Sequence, residues 1–320
     1  MILALITHDR GILEETTLQG LTLARSLADS LGTDLHAVVV GAEIEGLEDF
    51  GVSVTHLVRH DALDDYNPTA WATAVVQLAG ALEAQAVVTT GTERGNEVMA
   101  HVGAITGLPM VANCREVDPA GDSWGIVRRR WGGSLLEQAE LEAPLKLLTV
   151  AEHSVEATPV ESPREMTTET FTPDLSDQDL VTGVVDRVTT AEGVTLATSP
   201  VVVSGGRGVG SPDGFGPLEE LADLLGGVVG CSRVVTNNGW RPHSDQVGQT
   251  GTVVAPDLYI ACGISGAIQH WVGMMASKTV LAINTDSEAP MVTKADYAVT
   301  GDLHEVVPAV VEELKRRHGA

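Results

Sequence analysis

Lysine is nearly absent from this chain. Lys146, Lys278, Lys294 and Lys315 are the four in 320 residues, and lysine and arginine together number 19 against 44 aspartates and glutamates. The formal net charge of −25 excludes nucleic acid as a partner, because phosphate binding needs a basic face. It disfavours anionic membrane surfaces on the same ground. Aromatic residues are scarce too: five Trp, three Tyr and three Phe leave little for stacking on single-stranded bases. The three cysteines, Cys114, Cys231 and Cys262, are isolated, match no zinc or redox spacing, and by their odd number argue against a disulfide framework. Long hydrophobic runs are missing as well. The apolar run Met1 to Ile6 stops at Thr7-His8-Asp9-Arg10, too short for a signal peptide or a membrane span. These absences predict a cytoplasmic chain without an integral membrane segment.

What is present is a core: 43% of the residues are hydrophobic, so the acid excess does not signal disorder. At roughly 150 residues per domain, this length predicts about two domains. A folded core beneath a carboxylate-rich, lysine-poor surface fits a halophilic protein, since salt screens the self-repulsion. An ordinary acidic cytosolic protein is the other reading.

The first half alternates strand-like and helix-like stretches. Ile2 to Ile6 reads as a buried parallel strand, and Leu18, Leu21, Ala24, Leu27, Ala28 and Leu31 repeat at helical spacing up to Gly32. Strand-like Leu35 to Val40 and Val54 to Val58 follow, then a helix from Thr69 to Leu82, a strand over Ala86 to Thr90 and a helix from Glu97 to Thr106. Gly107 and Pro109 turn the chain. Such alternation predicts an open α/β sheet of Rossmann-like type with right-handed crossovers. The shorter runs from Trp124 to Val150 predict antiparallel strands added at an edge.

The chain divides by composition into an N-terminal α/β domain over 1–150, a connector over 151–197 and a second domain over 198–320. The connector is rich in Thr, Ser, Pro, Glu and Asp, with room for one short strand and an end near Gly193. In the second domain, strands at Val201 to Val203, Val228 to Val229, Leu258 to Ala261, Thr279 to Ile283 and Tyr297 to Val299 each run into Gly, Ser, Asn or Asp. Pro217 opens a helix that Gly226-Gly227 ends, and the last helix covers about Leu303 to Arg317. Both domains are therefore expected to be open, mostly parallel α/β sheets. Ligands bind outside the carboxyl ends of strands in such sheets. Those ends offer amides, small hydroxyls, Asn284, Asp302, Arg207 and Arg233, a set suited to an extended phosphate-bearing nucleotide.

Three stretches carry the chemistry. Gly205-Gly206-Arg207-Gly208-Val209-Gly210 reads equally as a phosphate-approaching turn or as a structural one. Gln246-Val247-Gly248-Gln249-Thr250-Gly251 sets glutamines beside glycines, which a plain turn does not need. In Gly263-Ile264-Ser265-Gly266-Ala267-Ile268-Gln269-His270, Ser265 is placed to cap a helix whose bare first turn suits a phosphate, and His270 follows one turn on. Trp271 and Met274 beside it also permit a purely structural histidine.

These motifs, together with Ser232-Arg233, Asp245, Ala255-Pro256-Asp257-Leu258-Tyr259-Ile260-Ala261, Ala282-Ile283-Asn284 and Ala289-Pro290, resemble the alpha subunit of electron transfer flavoprotein over roughly residues 200 to 315. The first half resembles that family in pattern only, for example at Gly107-Leu108-Pro109, and Thr252 departs from the basic residue many members carry. The resemblance implies one FAD in the second domain and a beta subunit as partner. Arg233 would lie over the isoalloxazine ring and raise its potential. Thr250 would meet flavin N5, and His270 would donate to the O2 edge, stabilising an anionic semiquinone. Ser232, Val247, Gly248 and Gln249 would surround the ring and ribityl chain. Ser265, Gly266, Ala267, Ile268 and Gln269 would hold the ribityl–pyrophosphate region, Asn284 and Asp302 would serve the adenosine end, and Arg207 would pair with a phosphate or close the pocket.

The function implied is electron carriage from flavoprotein dehydrogenases of the acyl-CoA dehydrogenase type, as in fatty acid β-oxidation, to a membrane quinone oxidoreductase. No acid–base pair, nucleophile or metal-ligand cluster stands out, as such a carrier allows. One alternative is the alpha subunit of a bifurcating, NADH-linked form. Another is an NAD-binding transferase of sirtuin or deoxyhypusine-synthase type, for which Lys278 and Lys294 lack a Gly-rich context. A third is a nucleotide sensor built on Thr90-Gly91-Thr92-Glu93-Arg94-Gly95, where Glu93 opposes phosphate.

Overall fold

A computed structural model describes residues 1–320 except 14, 64, 132, 164, 185–194 and 320. The described chain forms two compact units, Met1–Thr189 and Thr190–Ala320. The expected end of the connector near Gly193 lies outside the described residues.

The first unit begins with β1 (Ile2–Leu5) and a small hairpin of β2 (His8–Asp9) and β3 (Ile12–Leu13). Then come α1 (Glu15–Leu31), β4 (Leu35–Val40), β5 (Val54–Val58), α2 (Pro68–Ala81), β6 (Ala86–Thr90), α3 (Glu93–Thr106), β7 (Met110–Asp118), β8 (Ser123–Arg130), β9 (Leu135–Glu142), β10 (Lys146–Val150) and β11 (Thr167–Phe171). Among the described residues they build a nine-stranded sheet in the order β11-β5-β4-β1-β6-β10-β7-β8-β9. Pairing is parallel from β11 to β7 and antiparallel across β7-β8-β9. The parallel strands carry apolar residues on both faces because helices cover both. Leu21, Ala24 and Leu27 of α1 pack on one face, and Trp71 of α2 with Val98 and Met99 of α3 on the other.

Two expectations are corrected here. The stretch from Trp124 to Val150 is only partly an antiparallel edge: β8 and β9 are, but β10 returns as a parallel strand between β6 and β7. All five of its residues are buried, so it needs a neighbour on either side. Helix α3 starts at Glu93 instead of Glu97, because the Thr92 hydroxyl caps it by accepting the Gly95 N–H at 3.1 Å. The one short strand for which the connector leaves room is present: Thr167–Phe171 is strand β11, at the far edge beside β5.

The second unit contains β12 (Val201–Gly205), α4 (Gly216–Leu224), β13 (Val228–Cys231), α5 (Arg233–Asn237), β14 (Leu258–Cys262), α6 (Ile268–Val272), β15 (Thr279–Asn284), α7 (Pro290–Lys294), β16 (Tyr297–Thr300) and α8 (Leu303–His318). Its strands form an all-parallel sheet in the order β13-β12-β14-β15-β16. Leu218 and Leu221 of α4 and Val307 and Val311 of α8 fill one face. Val247, Val254, Met274 and Met291, from loops and short segments, fill the other with Tyr259. Cys231 and Cys262 sit in these cores, where burial pushes both thiols up to about 12. Among the described residues no helix is long and apolar enough to cross a membrane.

A candidate cofactor cleft at the strand ends of the second sheet

The carboxyl ends of β12 and β14 lie side by side, and the turns that follow them touch backbone to backbone. A Cβ on Gly206 would lie 2.3 Å from the Gly263 carbonyl oxygen, and one on Gly208 would lie 2.8 Å from Gly263 Cα. Gly263 itself has φ +63°, a conformation other residues adopt only at a cost. This close approach leaves a cleft of about 490 Å³ above the strand ends, within the range of about 300–1,000 Å³ usual for small-molecule sites.

Every strand-to-helix connection of the sheet contributes to the lining. Arg207 and Gly208 come from the turn after β12, and Ser232, Arg233 and Val234 from the start of α5. Ser265, Ala267, Gln269 and His270 come from the β14–α6 segment, Asn284 from the end of β15, and Asp302 from the end of β16. Asn284 also ties the wall together: its Nδ2 donates to the Ile264 carbonyl at 3.0 Å and its Oδ1 accepts the Asp286 N–H at 3.1 Å. Asp302 caps α8 by accepting the His304 N–H at 2.9 Å.

Six other residues singled out from sequence do not line the cleft. Val247 is buried in the core against Tyr259. Gly248 and Gln249 stitch their loop to α6, with the Gln249 N–H donating to the Gln269 carbonyl at 2.8 Å and Gly248 so close to Gly273 that a Cβ there would lie 2.3 Å away. Thr250 is exposed and accepts a hydrogen bond from Gln246. Gly266, at φ +81°, turns the chain against Met291, and Ile268 is exposed. Ser265 does not cap α6. Ala267 holds that position, and no side chain caps the helix, because the turn at Gly266 sends the Ser265 carbonyl to the Met291 N–H at 3.1 Å. Its hydroxyl is thereby left at the cleft. Sequence reasoning did not assign Val234, Thr285, Asp286, Ala289, Gly301 or Leu303 to the site, although they too line the cleft; for most of them a position shortly after a strand end was the available signal.

Two electrostatic features distinguish the cleft. Arg241 pairs with Glu219 and Asp245, Lys315 with Glu220, and Arg316 and Arg317 with Glu313. Among the described residues Arg207 and Arg233 have no carboxylate within ion-pair distance, although acids outnumber bases by more than two to one. The second feature is His270, whose side chain is buried while lining the cleft. Its Nε2 lies 2.9 Å from the Tyr259 hydroxyl, and its Nδ1 is buried with no hydrogen-bond partner. Burial lowers its pKa to about 4, which the Val247 carbonyl counters only in part and without a hydrogen bond of normal geometry to Nδ1. The imidazole is therefore neutral at pH 7.

Residues 195–275 match the electron transfer flavoprotein FAD-binding domain, and residues 2–176 match the electron transfer flavoprotein domain. The chain belongs to the electron transfer flavoprotein family, as an alpha subunit. It is 36% identical over 317 residues to the electron transfer flavoprotein subunit alpha of Thermoanaerobacterium thermosaccharolyticum, covering 96% of this chain and 95% of that one. It is 36% identical to the subunit alpha of Mycobacterium leprae over 323 residues, 99% of each chain. The subunit alpha of Bacillus subtilis is 32% identical over 311 residues, 96% of this chain and 94% of its own. FAD is thus the cofactor of the second unit, and the cleft suits it chemically. The glycine contacts keep the strand ends bare for a pyrophosphate, and two arginines without carboxylate partners line the cleft, suited to pairing with anionic groups.

Proposed function

We propose that this chain is the FAD-carrying alpha subunit of a cytoplasmic heterodimer that takes electrons from acyl-CoA dehydrogenase-type flavoproteins and passes them to a membrane quinone oxidoreductase. The observation that carries the reading is the meeting of Arg207, Arg233 and His270 at one cleft. When bound, FAD supplies the one- and two-electron redox chemistry. The chain's residues hold and tune it. Arg207 neutralises a phosphate, and Ser265, Ala267 and Gln269 border the ribityl–pyrophosphate path beside the bare turn of Gly266 and Ile268. Asn284 and Asp302 form the adenosine end. Arg233 places a fixed cation over the ring, which favours the reduced, more negative flavin. His270 offers a neutral donor to the O2 edge. Ser232, Gly248, Gln249 and Thr250 frame the ring, with Val247 buried beneath their loop and the Thr250 hydroxyl toward N5.

The partner reading has its own support. Arg233 and Thr250 are exposed, so a ring resting on them needs cover from a second chain, the beta subunit. Co-expression with that subunit, followed by flavin counting and electron transfer from a reduced acyl-CoA dehydrogenase to a quinone oxidoreductase, tests the whole reading. One FAD per heterodimer and transfer to the quinone enzyme are expected. A stable, flavin-saturated single chain would overturn the shared site, and a second flavin in the complex would replace this route with the bifurcating one.

A further inference from the structure

We infer that residues 166–182 form a strap laid over the first unit and latched to it by the His36–His56 pair, so that acid releases the strap locally. Its first part, β11, joins the sheet edge by parallel pairing with β5, from Thr167 opposite Val54 to Phe171 opposite Val58. Its second part is tied to α2 and the cap of that helix by side-chain hydrogen bonds. Gln77 donates from Nε2 to the Asp174 carbonyl at 2.7 Å and accepts the Asp174 N–H at 2.9 Å. Thr73 donates to Asp179 at 2.6 Å, and Thr182 donates to Asn67 Oδ1 at 2.8 Å. Met166, Phe171 and Leu175 pack against the cores only in part. A segment held by polar contacts, with little apolar burial, opens more readily than the sheet beneath it.

Val38 and Val40 of β4 and Val58 of β5 pack with Trp71 and Val75 of α2. Strand alternation puts His36 and His56 on that same face. His36 Nδ1 lies 2.9 Å from His56 Nε2, and His56 Nδ1 lies 3.5 Å from Glu169 Oε2 on β11. An ionised carboxylate only accepts, so His56 turns its proton toward Glu169 and its Nε2 accepts from His36. The latch therefore works with two neutral rings. One further proton can enter at His36 Nε2, but a second would set two N–H groups face to face. Burial is the main cause holding both imidazoles below their ordinary 6.5. His56 and the chain's amino terminus lower His36 as well, whereas Asp34 and Glu169 oppose this; Glu169 also opposes the lowering of His56. The neighbouring β1 and α2 contain no titratable side chain. With the strap off, His56 meets water and regains its ordinary proton affinity. Protons thus favour the open strap as the pH falls below 6.5, and above it the rings are neutral in both states and add no dependence. Asp179 is not the sensor: hydrogen bonds from Ser176 and Thr73 hold its carboxyl below the ordinary 3.8, so it stays ionised down to pH 5.

The test uses the full chain in its FAD-loaded complex with the beta subunit. Amide hydrogen exchange is followed by mass spectrometry between pH 7.5 and pH 5, with rates corrected for the intrinsic effect of pH. Protection over residues 166–182 is expected to fall severalfold below pH 6.5, while β4 and α2 keep theirs. The double variant His36→Gln, His56→Gln should show no such fall. A flat wild-type profile overturns the inference, as does an equal fall in the double variant. So does a loss shared by β4 and α2, which would be a general loosening of the unit. If the double variant folds poorly, Glu169→Gln decides, because the Glu169 side chain is 63% exposed and supports no core. Removing its charge holds the His56 ring further down while the strap is on, so the fall in protection should deepen. An unchanged profile in Glu169→Gln would overturn the latch.

Discussion

The buried side-chain amide of Gln246 spans two hydroxyls, accepting from Thr236 Oγ1 at 2.7 Å and donating to Thr250 Oγ1 at 3.0 Å. The two lengths fit this orientation, since O–H···O bonds run shorter than N–H···O bonds. The bridge ties α5, which begins at Arg233, to the loop that carries Thr250. It also spends the amide donor on the Thr250 oxygen and leaves the Thr250 proton pointing outward.

Gln246→Met keeps the volume and removes both bonds. At about 1 kcal/mol per bond, the variant should lose about 2 kcal/mol of stability. Thr250→Val alone should cost about 1 kcal/mol and very little in the Gln246→Met background, because the two residues share one bond. Urea denaturation of the four-member mutant cycle checks this. Additive losses would mean that the bridge contributes nothing to holding the loop.

The strand ends that build the cleft were legible where apolar runs stop at Gly205 and Gly263, because central parallel strands such as β12 and β14 are buried almost throughout; β16, ahead of Asp302, is exposed and was legible only by its β-forming residues. His270 was legible through its motif. Its contact with Tyr259 was not: the two are eleven residues apart, on β14 and α6, and only the fold brings them together. Thr250 and Gln249 are assigned to the ring through the family resemblance alone; the geometry adds that their loop is stitched to α6 and to Gln246. The position of β10 was hidden for another reason. Lys146-Leu147-Leu148-Thr149-Val150 reads as a buried strand, but a buried run does not name its neighbours. The position of β11 was hidden because Thr167-Thr168-Glu169-Thr170 is exposed and has the composition of a linker, which leaves room for a short strand without locating it.

The charge of −25 makes a prediction about salt. With few basic residues to pair the carboxylates, folded-state repulsion is relieved mainly by screening, and the Debye length falls from about 10 Å at 0.1 M to about 3 Å at 1 M. The melting temperature should rise steadily from low to molar potassium chloride. Potassium chloride and an equally concentrated neutral osmolyte, compared by thermal denaturation, separate screening from general exclusion effects. A melt that does not move with salt would count against a halophilic protein.

Arg233→Ala should retain FAD and lower its reduction potential. A guanidinium within about 4 Å of a unit negative charge gains ~4 kcal/mol at an effective dielectric near 20. Arg233 is exposed, and hydration removes much of that gain. A residue of about 1 kcal/mol corresponds to roughly 40 mV for a one-electron step. Arg207→Ala should do the reverse, weakening retention of FAD with little change in potential, since its partner is a phosphate. Spectroelectrochemical titration and flavin retention on dialysis distinguish the two arginines. Unchanged potentials in Arg233→Ala would remove Arg233 from the ring.

His270 links the stability of the second unit to pH. Its ordinary pKa of 6.5 falls to about 4 in the folded chain, principally because burial penalises the charged ring. The unfolded chain therefore takes up this proton near pH 6.5, while the folded chain resists it until about pH 4. Protons favour unfolding across that window, and above pH 6.5 the ring is neutral in both states and contributes no dependence. At about 1.4 kcal/mol per pKa unit, close to 3 kcal/mol of stability should disappear between pH 6.5 and pH 4. His8, His36 and His56 in the first unit are also lowered by burial, so the wild-type profile alone does not isolate His270. His270→Gln supplies the reference, because it keeps a polar side chain that does not titrate. The difference in urea midpoint between wild type and His270→Gln should be flat above pH 6.5 and should shift in favour of the variant as the pH falls toward 4. A difference that stays constant over this range would mean that the imidazole is open to solvent, and that neither its burial nor its bond to Tyr259 is as described.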